Sequence, residues 1–283
     1  MKRTRNCNSA AMSTGVSKCP VDMTRIKGAL VVERGKALPA DLDAAKLEQL
    51  CHDDRPERVY PLFTFVEFAR NGGEVQTGNT GYGPTGVTGL SARTDTFTMA
   101  KADIGLASSL MKCMQHPFDA YFVDDKNNIY GYDEGDGKLK GIHMAAIYSD
   151  NPVFSSGTDK TTMTVSFCYE DVQDAMEHMN FMPADFNVSG SAYGLTPVVL
   201  CEVKSGKYAI IEEKGGYDRT EEFGAALADG AGTTIVGATS VEYADGVLSI
   251  TASGDAKPAL AKPSVLYAAG VKGVEYVRTE SLS

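Results

Sequence analysis

The sequence predicts an α+β, mainly β protein: a β-sandwich or barrel with a packed helix, followed by a small β-sandwich module. Three observations predict it. Short apolar or alternating runs recur along the chain, as half-buried strands require. Turn residues punctuate them, with 29 glycines in 283 residues. The clearest helical period is confined to residues 101–115. The length suits two ordinary domains, and 43% hydrophobic with 23% charged residues is a globular composition.

Taken in order, 26–33 (IKGALVVE) reads as a buried strand. Pro39 and Asp41 open a helix with Leu42, Leu47 and Leu50 on one side, and 53–56 (DDRP) ends it. Residues 60–69 (YPLFTFVEFA) read as an aromatic strand. Residues 71–89 hold seven glycines and no apolar period, so they are expected to be a long loop, a length that is usually functional or ordered by a partner. Residues 90–99 (LSARTDTFTM) return as a strand whose two faces are both polar, which predicts a strand outside the core. In the helix 101–115, Ile104, Ala107, Met111 and Met114 are expected to line one side with Leu106 and Leu110 flanking it, and Asp103 to serve as N-cap or first-turn acid. Strands 118–123 and 129–132 form a hairpin, followed by strands at 139–148 and 162–169 and a helix at 171–179.

Character changes near 187–194, which reads as a linker. Beyond it, runs at 197–203, 207–212, 233–243, 247–251 and 265–277, with Asp245-Gly246 as a hairpin turn, describe a small immunoglobulin-like β-sandwich. The expected domains are a basic N-terminal arm (1–25), an assembly domain (26–186), a linker (187–194) and the immunoglobulin-like β domain (195–283).

The formal charge is −10. Residues 61–190 carry 8 basic and 17 acidic side chains, whereas residues 1–60 carry 11 and 8. Such acidity disfavours a general nucleic-acid binder. No apolar run has the length of a membrane span or a signal peptide core, so no membrane partner is expected. Six cysteines without a C-x-x-C pair suit a reducing compartment, and Cys113 and Cys168 read as small core hydrophobes.

No motif carries catalysis. The acidic turns at 124–136 fail the EF-hand template, since counting from Asp125 puts Ile129 at position five and the glycine at seven; an irregular calcium site there stays open. The four histidines are widely spaced, and His143 reads as a packed or cross-strand residue. G-x-S-x-G and P-loop signatures are absent. The expectation is no enzyme, with no catalytic residue, no metal and no cofactor. Arg93 and Asp95, on one face of a strand, read either as a cross-strand ion pair or as a pair meeting a neighbouring subunit.

The runs 88–97 (TGLSARTDTF), 103–110 (DIGLASSL) and 118–124 (FDAYFVD) resemble virion proteins of tailed bacteriophages that infect Bacteroidetes, including crAss-like phages, over residues 26–180. The order of elements is also similar to the tail-tube fold. That resemblance implies a tail-tube-like β-sandwich or barrel with a flanking helix, assembled as hexamers or larger rings. Residues 62–69 and 90–99 would line the channel, and Gly78, Tyr82, Gly83 and Gly86 in the long loop would meet the neighbouring ring, with Arg93 and Asp95 also at the subunit interface. The 195–283 module would be an outward decoration.

The functional expectation is a structural subunit of a homo-oligomeric tail-tube or connector ring. Its partners would be itself, other tail or neck proteins, and DNA only as non-specific passage through an acidic lumen. It would be found in the virion after assembly in the host cytoplasm. A capsid decoration or head-fibre protein, and a carbohydrate-binding surface β-protein, are the alternatives.

Overall fold

A computed structural model describes residue 15 and residues 24–281, apart from 80, 135–136, 156, 158–160 and 255. Most of the arm expected at 1–25 lies outside the described residues. With 46% strand against 19% helix the chain is mainly β, and its sheets do not close into a barrel among the described residues. It divides into two units: one within Met1–Leu47 and Val59–Ala192, the other of Glu48–Arg58 and Tyr193–Ser283.

The first unit begins with β1 (Ile26–Glu33), in which Ala29–Val32 are buried on both faces. Helix α1 (Ala44–His52) follows, then β2 (Val59–Phe63), β3 (Phe65–Gly72), β4 (Val75–Asn79), β5 (Thr85–Leu90) and β6 (Arg93–Met99). Next come α2 (Ile104–Lys112), β7 (Phe118–Asp124), β8 (Asn128–Tyr132), β9 (Ile142–Ser149) and β10 (Met163–Tyr169). The unit ends with α3 (Val172–Glu177), β11 (Met179–Pro183) and a single helical turn, α4 (Val188–Ser191). The order of the large sheet is β11-β8-β7-β9-β10-β6-β3, with β1 paired to β7 and to β2. Strands β2 and β3 are separated only by Thr64, so the chain passes directly from the β1–β2 branch to the β3 end of the path, and Leu62 and Phe65 enter one core.

Aromatic rings fill that core. Phe97 stacks on Phe65 at 4.5 Å and meets Phe122 and Phe167 at 5.7 and 5.8 Å. Such packing corrects the expectation that 90–99 stands outside the core. One face of β6 (Asp95, Phe97, Met99) is buried, and its polar member is neutralised within the chain, while Thr94, Thr96 and Thr98 lie half-buried on the other. Asp103 caps α2 by accepting the Leu106 N–H at 3.0 Å. The helix is rotated from the expected orientation: Leu106, Ala107, Leu110 and Cys113 face the core, and Ile104, Met111 and Met114 are exposed. Cys113, and Cys168 on β10, are half-buried rather than fully interior. The stretch read as a linker holds α4, capped by Asn187.

The second unit is built on β12 (Thr196–Lys204), β13 (Lys207–Glu212), α5 (Thr220–Asp229), α6 (Ala231–Thr234), β14 (Ile235–Val236), β15 (Ala238–Ala244), β16 (Val247–Ala252), β17 (Ala259–Leu260), α7 (Pro263–Ala268) and β18 (Val274–Ser281). Its main sheet has the order β15-β16-β13-β12-β18, and β18 runs parallel to β12. Phe223 and Leu227 of α5 and Leu266 of α7 pack on Val198, Leu200, Ile210 and Leu248. Helices therefore supply the covering layer that an immunoglobulin-like sandwich would take from a second sheet. Pro263, at the first turn of α7, also replaces by a helix the first half of the strand read at 265–277.

Residues 48–58 complete this unit. His52 is buried; its Nε2 accepts the Gly273 N–H at 2.9 Å and its ring stacks on Tyr267 at 4.6 Å. Arg58 pairs with Glu275 at 2.9 Å, and Ser264 donates to Asp54 at 2.8 Å. Burial pushes the Cys51 thiol up to about 12. No helix among the described residues is long and apolar enough to cross a membrane.

Candidate assembly surface

The glycine-rich stretch read as a loop is a two-stranded ribbon. Strand β3 leads into β4, and β5 returns into β6, with pairs Val75↔Leu90, Gln76↔Gly89, Thr77↔Val87, Gly78↔Gly86 and Asn79↔Thr85. Its base turns through Gly72 and Gly73, both at φ +79; a Cβ on Gly72 would stand 1.8 Å from the Ala92 carbonyl oxygen. Only glycine fits there. Serine 91 ties the base together: its N–H reaches the Glu74 carbonyl at 2.9 Å, and its Oγ accepts the Glu74 N–H at 3.0 Å.

Strand alternation gives the ribbon two unlike faces. Val75, Thr77, Val87 and Leu90 share one, while Gln76, Gly78, Gly86 and Gly89 share the other. Val75 and Val87 are exposed, Val87 at 72%, and Tyr82 stands fully exposed at the tip beside Gly83. At the root of the ribbon, β3 ends the sheet with one edge unpaired. Its residues 66–71 are all exposed, including Val66 and Phe68 at 42% and 55%. Of the sequence-predicted interface residues, the structure thus brings Gly78, Gly86, Tyr82 and Gly83 together at the outer end of one ribbon.

Arg93 and Asp95 behave differently. Asp95 is buried, and its carboxylate accepts Arg93 Nε at 3.0 Å, Arg93 Nη2 at 2.7 Å and the Tyr169 hydroxyl at 2.8 Å. The guanidinium lies over the Tyr169 ring, 4.4 Å from its centre. Burial alone would lower the Arg93 pKa, but the bond to Asp95 and the field of Tyr169 outweigh it, and the value is raised. Burial, reinforced by Asp95, holds the Tyr169 hydroxyl well above its ordinary value. The pair is not cross-strand; it joins residues two apart on one strand and is closed by a third side chain.

The other polar clusters are closed as well. Asp119, fully buried on β7, receives the Gly35 N–H at 2.7 Å, and lies 2.9 Å from Arg34 Nε and 2.8 Å from His143 Nδ1, opposite it on β9. Asp124 accepts the Lys126 N–H, the Asn128 N–H and side-chain amide, and the Tyr130 hydroxyl, at 2.8 to 2.9 Å. Burial would raise its pKa, yet these bonds prevail and the carboxyl lies below its ordinary value. That occupied carboxylate does not suit a calcium ligand in the 124–136 turns, and among the described residues no three metal-ligating side chains gather anywhere.

Fold and surface together define a mainly β chain in which Asp95, Asp119 and Asp124 are held by groups of their own unit, and in which the ribbon and its root are among the places that leave apolar side chains exposed, as the outer side of α2 and Phe154 also do. No family model matches the chain. No curated protein matches it either. Among solved structures it is similar to the anti-feeding prophage cap, a tube-terminating cap determined by cryo-EM, at 9% identity over 61% of this chain and 100% of that one. The TM-score is 0.23, below that of a shared fold.

Proposed function

We propose that the chain is a structural subunit of a bacteriophage-type particle, assembling with copies of itself into a tail-tube or connector ring around a DNA channel. The ribbon carries this reading. A two-stranded projection with exposed valines and a tyrosine gains nothing in water and is stabilised by being covered. Two further features support it. The sheet path ends in β3 on one side and β11 on the other, so copies placed head to tail can pair edges and close a ring. The excess of acidic side chains in 61–190 suits a wall along which DNA passes without adhering. The sequence resemblance to virion proteins points the same way.

Electron microscopy of the purified full-length chain tests the proposal. Rings or tubes with a continuous central channel are expected. A chain that stays monomeric alone and with particle components would sink it, and density on a capsid lattice without a channel would favour a decoration protein instead.

A further inference from the structure

Resting on the reading that copies of this chain meet through the ribbon, we propose which face meets which: the Val75–Val87–Leu90 face of one copy seats on Phe68 of β3 in the next. Sidedness argues for it first. The opposite face of the ribbon is glycine at positions 78, 86 and 89, so it has almost no apolar surface to remove from water. The valine face has it, and it is open.

Phe68 supplies the complement. Its ring lies 5.1 Å from Phe97, which itself stacks on Phe65, so it prolongs the aromatic core, yet it is 55% exposed. Here the core of the first unit reaches its edge uncovered, on a terminal strand of the sheet path whose outer edge is also unpaired. An apolar strand face laid there would cover the ring and could pair the edge.

Charge identifies the occupant as a second copy. Residues 71–89 carry one charged side chain, Glu74, in a segment (61–190) with 17 acidic and 8 basic groups. Two copies of an acidic protein repel over most of their surfaces, and this neutral ribbon is where they can approach. It holds no Lys or Arg, so a nucleic-acid backbone or an anionic lipid surface finds no cation on it.

The test compares substitutions of equal charge on opposite faces of the ribbon in the full chain, read by sedimentation velocity over a concentration series. Val87→Asp is expected to raise the concentration needed for assembly by about tenfold or more, because a carboxylate would be buried unpaired. Gln76→Glu is expected to shift it less than about twofold, as rim charges do. Phe68→Lys, checked for an unchanged melting temperature, should weaken assembly alone and restore a large part of it when mixed with Val87→Asp. If the wild type assembles but Val87→Asp assembles equally well, or Gln76→Glu is as damaging, the face assignment is overturned while the ring reading stands. If the wild type never self-associates, both fall.

Discussion

Arg93–Asp95 and the ribbon at 75–90 are neighbours along one strand ladder, and they dispose of their side chains in opposite ways. At Arg93–Asp95 two charges and a phenol are folded into one another, leaving little for a partner to bind. In the ribbon, backbone hydrogen bonds are made within the hairpin, but the side chains of Val75, Tyr82 and Val87 touch little of their own chain. Charge on a strand drew attention to the first site, yet unmet apolar surface marks the second. A charged pair is a poor marker of an interface when a third group can close it inside the subunit.

The largest expected effect separates the two regions by stability. Asp95→Ala leaves the half-buried Arg93 without its anion and the buried Tyr169 hydroxyl without its acceptor. It should cost about 3–5 kcal/mol in chemical denaturation. A loss below about 1 kcal/mol would mean the triad is solvated and open to a partner after all.

Much of the first unit was legible because its signals are local. The apolar run of β1, the Asp/Asn turn between β7 and β8, and the Asp103 cap of α2 each depend on residues close in sequence. The ribbon was not legible as strands, since glycine at 78, 86 and 89 and threonine at 77, 85 and 88 erase the alternation that betrays a strand. The side of α2 that faces inward was misread because Ile104, Met111 and Met114 are as apolar as Leu106 and Leu110; only the sheet beneath decides. Nothing local could show that residues 48–58 finish the second unit, because their partners, Ser264, Gly273 and Glu275, lie more than 200 positions away. Helix α5 was missed beside the short strand runs, although Glu221 and Glu222 in its first turn were a usable signal. The candidate surface was legible as a place, 71–89, but not as a shape.

A smaller effect sharpens the base of the ribbon. Gly72→Ala meets both a positive φ and a carbonyl oxygen in its way, and should cost about 1–3 kcal/mol. A neutral result would mean that the ribbon's root repacks freely.

Acid gives the next contrast. Asp124 has a folded pKa below its unfolded one. Its contribution is therefore complete above the ordinary carboxylate value, about 3.9, and is lost as pH falls through the lower folded value. Melting temperatures from pH 5 to pH 2 should fall less steeply for Asp124→Asn than for the wild type. Identical slopes would mean that Asp124 is not the carboxylate that the turn holds ionised.

The smallest stability effect belongs to the ribbon tip. Tyr82→Ala removes a side chain that contacts almost nothing in its own subunit, and should shift stability by less than about 0.5 kcal/mol. Any loss of assembly that accompanies it then reports on the neighbour alone.

The most direct measurement is sedimentation velocity on the full chain and on a chain lacking residues 78–86, with melting temperatures recorded for both. The account expects the wild type to form rings or stacks and the shortened chain to remain a folded monomer of nearly the same melting temperature. A shortened chain that assembles like the wild type would contradict it.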